Sequence, residues 1–283
     1  MGNLFEGLEK LGLKDLRNVK LFEEEEKKKT EKENVAAVVK EITEEDMLFD
    51  KTSKCPICDR DFTNKTVRTG KPKLLSSDSD LRPIYQGIDP LKYDAITCPF
   101  CGYSALSRYF SVNPTTGQLR LIKENLANFS GLAEPEVKYS YDDAITRHRL
   151  ALVCTVIKKG KPSEKAYTCL KLAWLFRGKR EALIKNNKAT KEDIEILNNS
   201  EKEFLTNAYN GFIEAFSKEN FPMAGMDEVT VTFLTANLAD EIGKYDDALR
   251  LVERIIISRD ANSNIKGKAN ELKEKIRERK EKK

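Results

Sequence analysis

Two cysteine pairs, Cys55-Pro56-Ile57-Cys58 and Cys98-Pro99-Phe100-Cys101-Gly102, constrain this chain more than any other feature. Two residues separate the thiols in each pair, so one tight turn can aim both sulfurs at a single ion. Two such turns supply four soft ligands, the tetrahedral set of a closed structural zinc site. A disulfide inside either pair would close a short, strained ring and stabilise little. Residues Met1 to Phe22 carry Glu6, Glu9, Lys10, Lys14, Asp15, Arg17 and Lys20 with no continuous apolar stretch, so no export signal is read there. A chain expected in a reducing, cytoplasmic compartment more often uses paired cysteines for metal than for crosslinks. The sequence therefore predicts Cys55, Cys58, Cys98 and Cys101 as metal ligands, with Zn²⁺ as the ion and iron as the alternative.

Thirty-nine residues, Asp59 to Thr97, separate the pairs, more than the commonest ribbon spacing. Proline after each first cysteine and Gly102 after the last suit knuckle turns, because glycine tolerates left-handed backbone. Asp59 stands where the first knuckle would accept glycine more easily. Four thiolates fill a tetrahedral shell and leave no vacancy for activating water, so no catalytic metal and no catalytic residue is assigned.

Composition narrows the function classes. The chain has 283 residues, 40% hydrophobic and 34% charged, with a formal net charge of +4. That balance gives no global signature of a polyanion binder, and no apolar run approaches a membrane span. Lys65, Arg68, Lys71 and Lys73 form a local basic stretch beside Phe62, which supports nucleic-acid binding only as a second reading. A thiol redox sensor is the third.

Four segments are expected. Residues 1–34 carry an amphipathic peptide (Leu4, Leu8, Leu11, Leu13, Leu16) and a charged linker, read as docking on the chain's own helices or staying disordered in preference to engaging a partner. Residues 35–113 form the zinc-ribbon module, with strands at Phe62–Arg68 and Tyr93–Thr97 and a helix at Tyr103–Phe110. Asp78, Asp80 and Arg82 lie in a turn-rich stretch between them, read as capping turns and pairing with one another.

Residues 114–262 read as helices. Leu119, Ile122, Leu126 and Phe129 share one helical face over 119–129. Tyr141-Asp142-Asp143-Ala144 and Tyr245-Asp246-Asp247-Ala248 echo one another, and Gly243 makes a helix–Gly–helix hairpin before the second. Ser163–Gly178 is a third, degenerate copy, ending at a terminal glycine and carrying Lys171 where a small residue is wanted. Lys202–Phe216 adds a core helix. This is a tetratricopeptide-like pattern, whose stacked hairpins offer a concave surface to a protein or peptide partner. His148 and Trp174 are read as packing residues, and Cys154 and Cys169 as inert small hydrophobes. Residues 263–283 are expected to form a basic, solvated, fraying helix or tail.

Both CPxC segments together with Val67-Arg68, Tyr85-Gln86-Gly87-Ile88-Asp89-Pro90-Leu91, Ser163-Glu164-Lys165-Ala166 and Leu172-Ala173-Trp174-Leu175-Phe176-Arg177 resemble an uncharacterised bacterial family. That family joins a zinc ribbon to TPR-like helices, and the resemblance spans about residues 50 to 258. It implies the same four cysteine ligands and no reaction. The combined expectation is a mostly α, α+β chain: a small four-cysteine zinc ribbon followed by a TPR-like hairpin domain, acting as a non-enzymatic adaptor or scaffold.

Overall fold

The computed structural model describes residues 43–282. The expected amphipathic N-terminal peptide and most of its charged linker lie outside the described residues. The strands come first, in three antiparallel pairs. β1 (Leu48–Lys54) pairs with β2 (Asp61–Val67) from Leu48↔Val67 to Lys54↔Asp61. β3 (Leu74–Ser77) pairs with β4 (Pro83–Tyr85), with an irregularity after Leu74. β5 (Ala95–Thr97) pairs with β6 (Ser104–Leu106).

β2 matches its expected strand with a shift of one residue and β5 keeps the last three residues of its own, whereas the helix expected over Tyr103–Phe110 does not form as such. Its first half is β6, which pairs with β5 and whose Ser104 hydroxyl donates to Thr97 Oγ1 at 2.8 Å. Only α1 (Ser107–Phe110) is helical, for one turn. Pairing with β5 overrides local propensity here.

Seven longer helices follow. α2 (Thr116–Asn125) opens on a Thr115/Gln118 capping box and ends before Phe129, so the expected 119–129 helix is shifted toward the N-terminus. α3 (Tyr141–Ile157) opens on a second box, Ser140/Asp143. α4 (Pro162–Lys185), α5 (Lys191–Lys218), α6 (Glu228–Glu241), α7 (Tyr245–Ile257) and α8 (Ser263–Glu281) complete the chain. α4 lies along α3 and α5, and α7 along α6 and α8.

The two echoing segments both start helices at their tyrosine, and both alanines, Ala144 and Ala248, are fully buried. Gly243 takes the left-handed conformation (φ +80°), and the Lys244 amide closes back onto the Ala239 carbonyl. Gly178 behaves otherwise. α4 continues through it to Lys185, and a Cβ there would sit 2.8 Å from the Tyr141 ring, so this glycine admits a neighbour rather than ending a helix. The C-terminal segment also differs from expectation. α8 is helical and mostly solvated, but it buries Ala269, Leu272 and Ile276, a narrow i, i+3, i+7 stripe that joins the core.

Asp78, Asp80 and Arg82 do pair with one another, and they also reach much further. Arg82 Nε donates to Asp78 at 2.7 Å, while its Nη2 holds Glu181 of α4 at 2.7 Å. Asp80 is wholly buried and accepts from the Trp174 indole at 2.8 Å and from Arg177 Nη2 at 3.0 Å. Arg177 also holds Asp78, Glu201 of α5 and Glu241 of α6. One guanidinium thus ties the β3–β4 turn to three helices, a use suited to its planar fork of donors.

The carboxylates outnumber the guanidiniums at this junction, and burial with the neighbouring Asp80 lifts the Glu241 carboxyl to about 7. A raised folded-state value means that the neutral form stabilises the fold. That contribution is complete below the ordinary value of 4.5 and is lost as pH rises through 7. Replacing Glu241 with Gln is expected to flatten denaturant-derived stability between pH 5 and 9, and to leave the variant about 1–3 kcal/mol more stable than the parent at pH 9. A variant less stable than the parent at that pH would show that the charged carboxylate is needed by Arg177.

Candidate metal centre

Each cysteine pair is the turn of a hairpin. In the first, between β1 and β2, the Cys55 amide donates to the Arg60 carbonyl at 3.0 Å and the Asp59 amide to the Cys55 carbonyl at 3.0 Å. The second, between β5 and β6, repeats both bonds: Cys98 to Tyr103 at 2.8 Å and Gly102 to Cys98 at 3.0 Å. The equivalent residues Asp59 and Gly102 are both left-handed, at φ 58° and 75°. Gly102 thus plays the part expected of it, and Asp59 adopts the same conformation without glycine's freedom.

Folding brings the four sulfurs together. Cys55, Cys58, Cys98 and Cys101 place all Sγ atoms within 4.8 Å of one another, with Cys55–Cys101 and Cys58–Cys98 each at 3.6 Å. A tetrahedron of sulfurs about 2.3 Å from a central ion has edges of about 3.8 Å, so the spacing fits a four-thiolate metal site. Cys55 and Cys98 are fully buried, whereas Cys58 and Cys101 are half-buried.

The Cys101 sulfur and the Ile57 amide, 3.4 Å from Cys55 Sγ, favour charge there, but the Cys98 sulfur and burial leave the Cys55 thiol raised to about 12. Hydrogen bonds from Cys101 and Cys55 hold the Cys98 thiol far below its usual range. Those same contacts, with Cys55 first, push Cys101 strongly upward, because neighbouring thiolates repel. A divalent cation among them removes that conflict and lets all four ionise.

The packing around the sulfurs explains how so small a module holds its shape. Phe62 of β2 meets Phe110 edge-on at 5.8 Å, Tyr103 lies 5.4 Å from the same ring, and Ile122 of α2 closes the cluster. The Phe129 ring lies against Gly102, where a Cβ would come within 2.7 Å of it.

Cys154 of α3 is buried, as expected of a small hydrophobe, but it does more. Its sulfur accepts from the Ser104 amide at 3.3 Å, joining α3 to the strand after the second knuckle. Burial raises the thiols of Cys154 and Cys169 to about 11 and about 12, so both stay protonated. These two cysteines lie apart from the sulfur cluster.

The other candidates are placed as follows. His148 is entirely buried, with Nδ1 bonded to the Ala144 carbonyl at 2.8 Å, and burial lowers it to about 4, so it is neutral at pH 7. Lys171, where a small residue was expected, is buried in an ion pair with Asp94, and its ammonium lies 4.8 Å above the Tyr167 ring. Within the basic stretch, Lys65 pairs with Asp50 at 2.7 Å, and Arg68 donates to the Leu48 carbonyl while lying over Phe49. Two of its four cations therefore have partners inside the protein. Among the described residues no helix is long and apolar enough to cross a membrane.

The knuckle geometry yields a paired prediction. Gly102→Ala forces a Cβ into left-handed backbone and into Phe129, and is expected to cost about 2–3 kcal/mol in a denaturant titration. Asp59→Gly relieves the equivalent strain and is expected to leave stability within about 1 kcal/mol of the parent, or above it. A harmless Gly102→Ala would mean that the second knuckle is not held in this conformation.

No curated protein and no solved structure matches the chain. A family model described as "Uncharacterized protein conserved in bacteria (DUF2225)" matches residues 48–282, from β1 to the end of α8, and the chain belongs to that family.

Proposed function

We propose that this is a non-enzymatic protein-interaction protein, an intracellular adaptor whose strand module is stapled by Zn²⁺ and whose TPR-like hairpins receive a protein or peptide partner. The observation that carries this reading is the closed quartet of sulfurs, all within 4.8 Å of one another. Four thiolates satisfy tetrahedral zinc and leave no coordination position for water or substrate, so the ion's part is structural. Soft sulfur ligands favour zinc over harder-seeking divalent ions, and iron bound by four cysteines is the alternative occupant. The ion substitutes for a larger apolar core in a module with three short strand pairs.

The helical half supports the partner role. From α3 to α8 each helix packs against the next, an arrangement suited to inter-helix grooves for side chains of a ligand. The resemblance of the two Tyr-Asp-Asp-Ala helices to one another favours repeat-like stacking over an unrelated bundle.

Elemental analysis of protein purified without added metal is expected to find one zinc per chain, reduced to a small fraction in Cys98→Ser. Chelation is expected to abolish near-UV circular dichroism from the aromatic cluster around Phe62 and Phe110 and to destabilise the fold by several kcal/mol. A folded, metal-free native protein would refute the staple. Metal-dependent turnover lost in Cys98→Ser with the fold intact would refute the non-enzymatic role. Crosslinking of the full chain in cells, followed by mapping of the attached peptides, is expected to place a protein partner on α3–α8.

A further inference from the structure

A cleft of about 650 Å³ opens between the β3–β4 turn and helices α4, α6 and α8, within the size range of small-ligand sites. Its two walls have opposite chemistry. On α6, Asn237, Asp240 and Glu241 stand at i, i+3 and i+4 and share one face. Asn237 is 2% exposed and commits its amide nitrogen to the Phe233 carbonyl at 2.8 Å, so Oδ1 is the atom it can offer a ligand. Asp240 is 6% exposed; Arg279 takes one of its oxygens, and Oδ1 has no hydrogen-bond partner among the described residues. Glu241 and Asp78 each give one oxygen to Arg177. This wall holds acceptors in excess of donors, and buried acceptors left without donors are costly.

The opposite wall is a face of α8. Lys268 and Lys275 stand two turns apart, both exposed, with Glu271 between them; neither ammonium is held in an ion pair among the described residues, and the charge of Lys275 also acts on Asp240 across the cleft. A ligand that satisfies both walls carries a cationic donor group at one end and an anion at the other. A plain cation leaves the lysines unanswered, and a plain anion meets the carboxylates.

We infer that this cleft binds a zwitterion with a guanidinium or ammonium head and a carboxylate tail, the chemistry of a basic amino acid or of a peptide ending in Arg or Lys. The head meets Asn237 Oδ1, Asp240 and Glu241, and the tail carboxylate meets Lys268 and Lys275. The inference rests on the adaptor reading and gives it a partner chemistry; none of the four cysteines lines the cleft.

Calorimetric titration of the full-length, metal-loaded chain at pH 8 tests it with four probes: L-arginine, acetyl-Gly-Ala-Gly-Arg as free acid, the same peptide as C-terminal amide, and acetyl-Gly-Ala-Gly-Ala as free acid. The arginine acid peptide or L-arginine is expected to bind at least about tenfold more tightly than the amide and the alanine peptide, the size of one charge contact. Which of the two binds more tightly tells an amino-acid ligand from a protein C-terminus. The double variant Lys268→Ala/Lys275→Ala, on exposed positions, is expected to bring the acid peptide down to the level of the amide while leaving the amide unchanged. Glu241→Gln, checked for a retained fold by circular dichroism, is expected to erase the preference for Arg over Ala.

Equal binding of acid and amide, or no saturable binding of L-arginine or either arginine peptide, overturns the inference. Should a protein partner still crosslink to α3–α8 in that case, the adaptor reading survives without this cleft.

Discussion

The strand module exists because two hairpin turns converge. β1–β2 and β5–β6 are short ladders, and neither buries enough apolar surface to persist alone. What unites them is the meeting of Cys55 and Cys58 with Cys98 and Cys101, four sulfurs in one small volume. Around that point Phe62, Tyr103, Phe110 and Ile122 pack as they would about any apolar nucleus. Without a cation, four thiols at such spacing compete for protons and repel once charged. With one, the same crowding becomes attraction.

Three of the contacts that fasten the module to the helices are chemically distinct. Cys154 of α3 receives the Ser104 amide beside the second knuckle. Lys171 of α4 holds Asp94 just before β5. Asp80, from the β3–β4 turn, is clasped between Trp174 and Arg177 in the helical core. Each joins a buried polar group to a specific partner, so the docking has one register rather than a smear of apolar alternatives.

The readable parts of the sequence were those governed by local rules. CPxC spacing announced the knuckles, and Gly102 announced their left-handed exit. Tyr141 and Tyr245 marked helix starts, and Gly243 marked a hairpin, because capping and chain reversal are settled within a few residues. The parts that escaped depend on distant partners. Nothing near Ser104 says that it pairs with Thr97 instead of entering a helix. Gly178 looks like a helix end until Tyr141 is seen lying over it. Ala269, Leu272 and Ile276 are sparse enough among lysines to pass for a solvated tail. Asp80 and Arg177 are almost a hundred residues apart, and only the tertiary fold reveals that they form one junction.

The 39 residues from Asp59 to Thr97 acquire a topological meaning from this arrangement. An ion held by the four sulfurs would grip both ends of that span and turn it into a closed ring, to which the β3–β4 turn that plugs into α4 belongs. Cross-linking a loop of this length restricts the unfolded chain by about 4 kcal/mol in the polymer estimate. Such a tether would act at a distance, restraining the very turn that inserts Asp80 beneath Trp174, and the helical layer would inherit part of its rigidity from sulfur chemistry performed elsewhere.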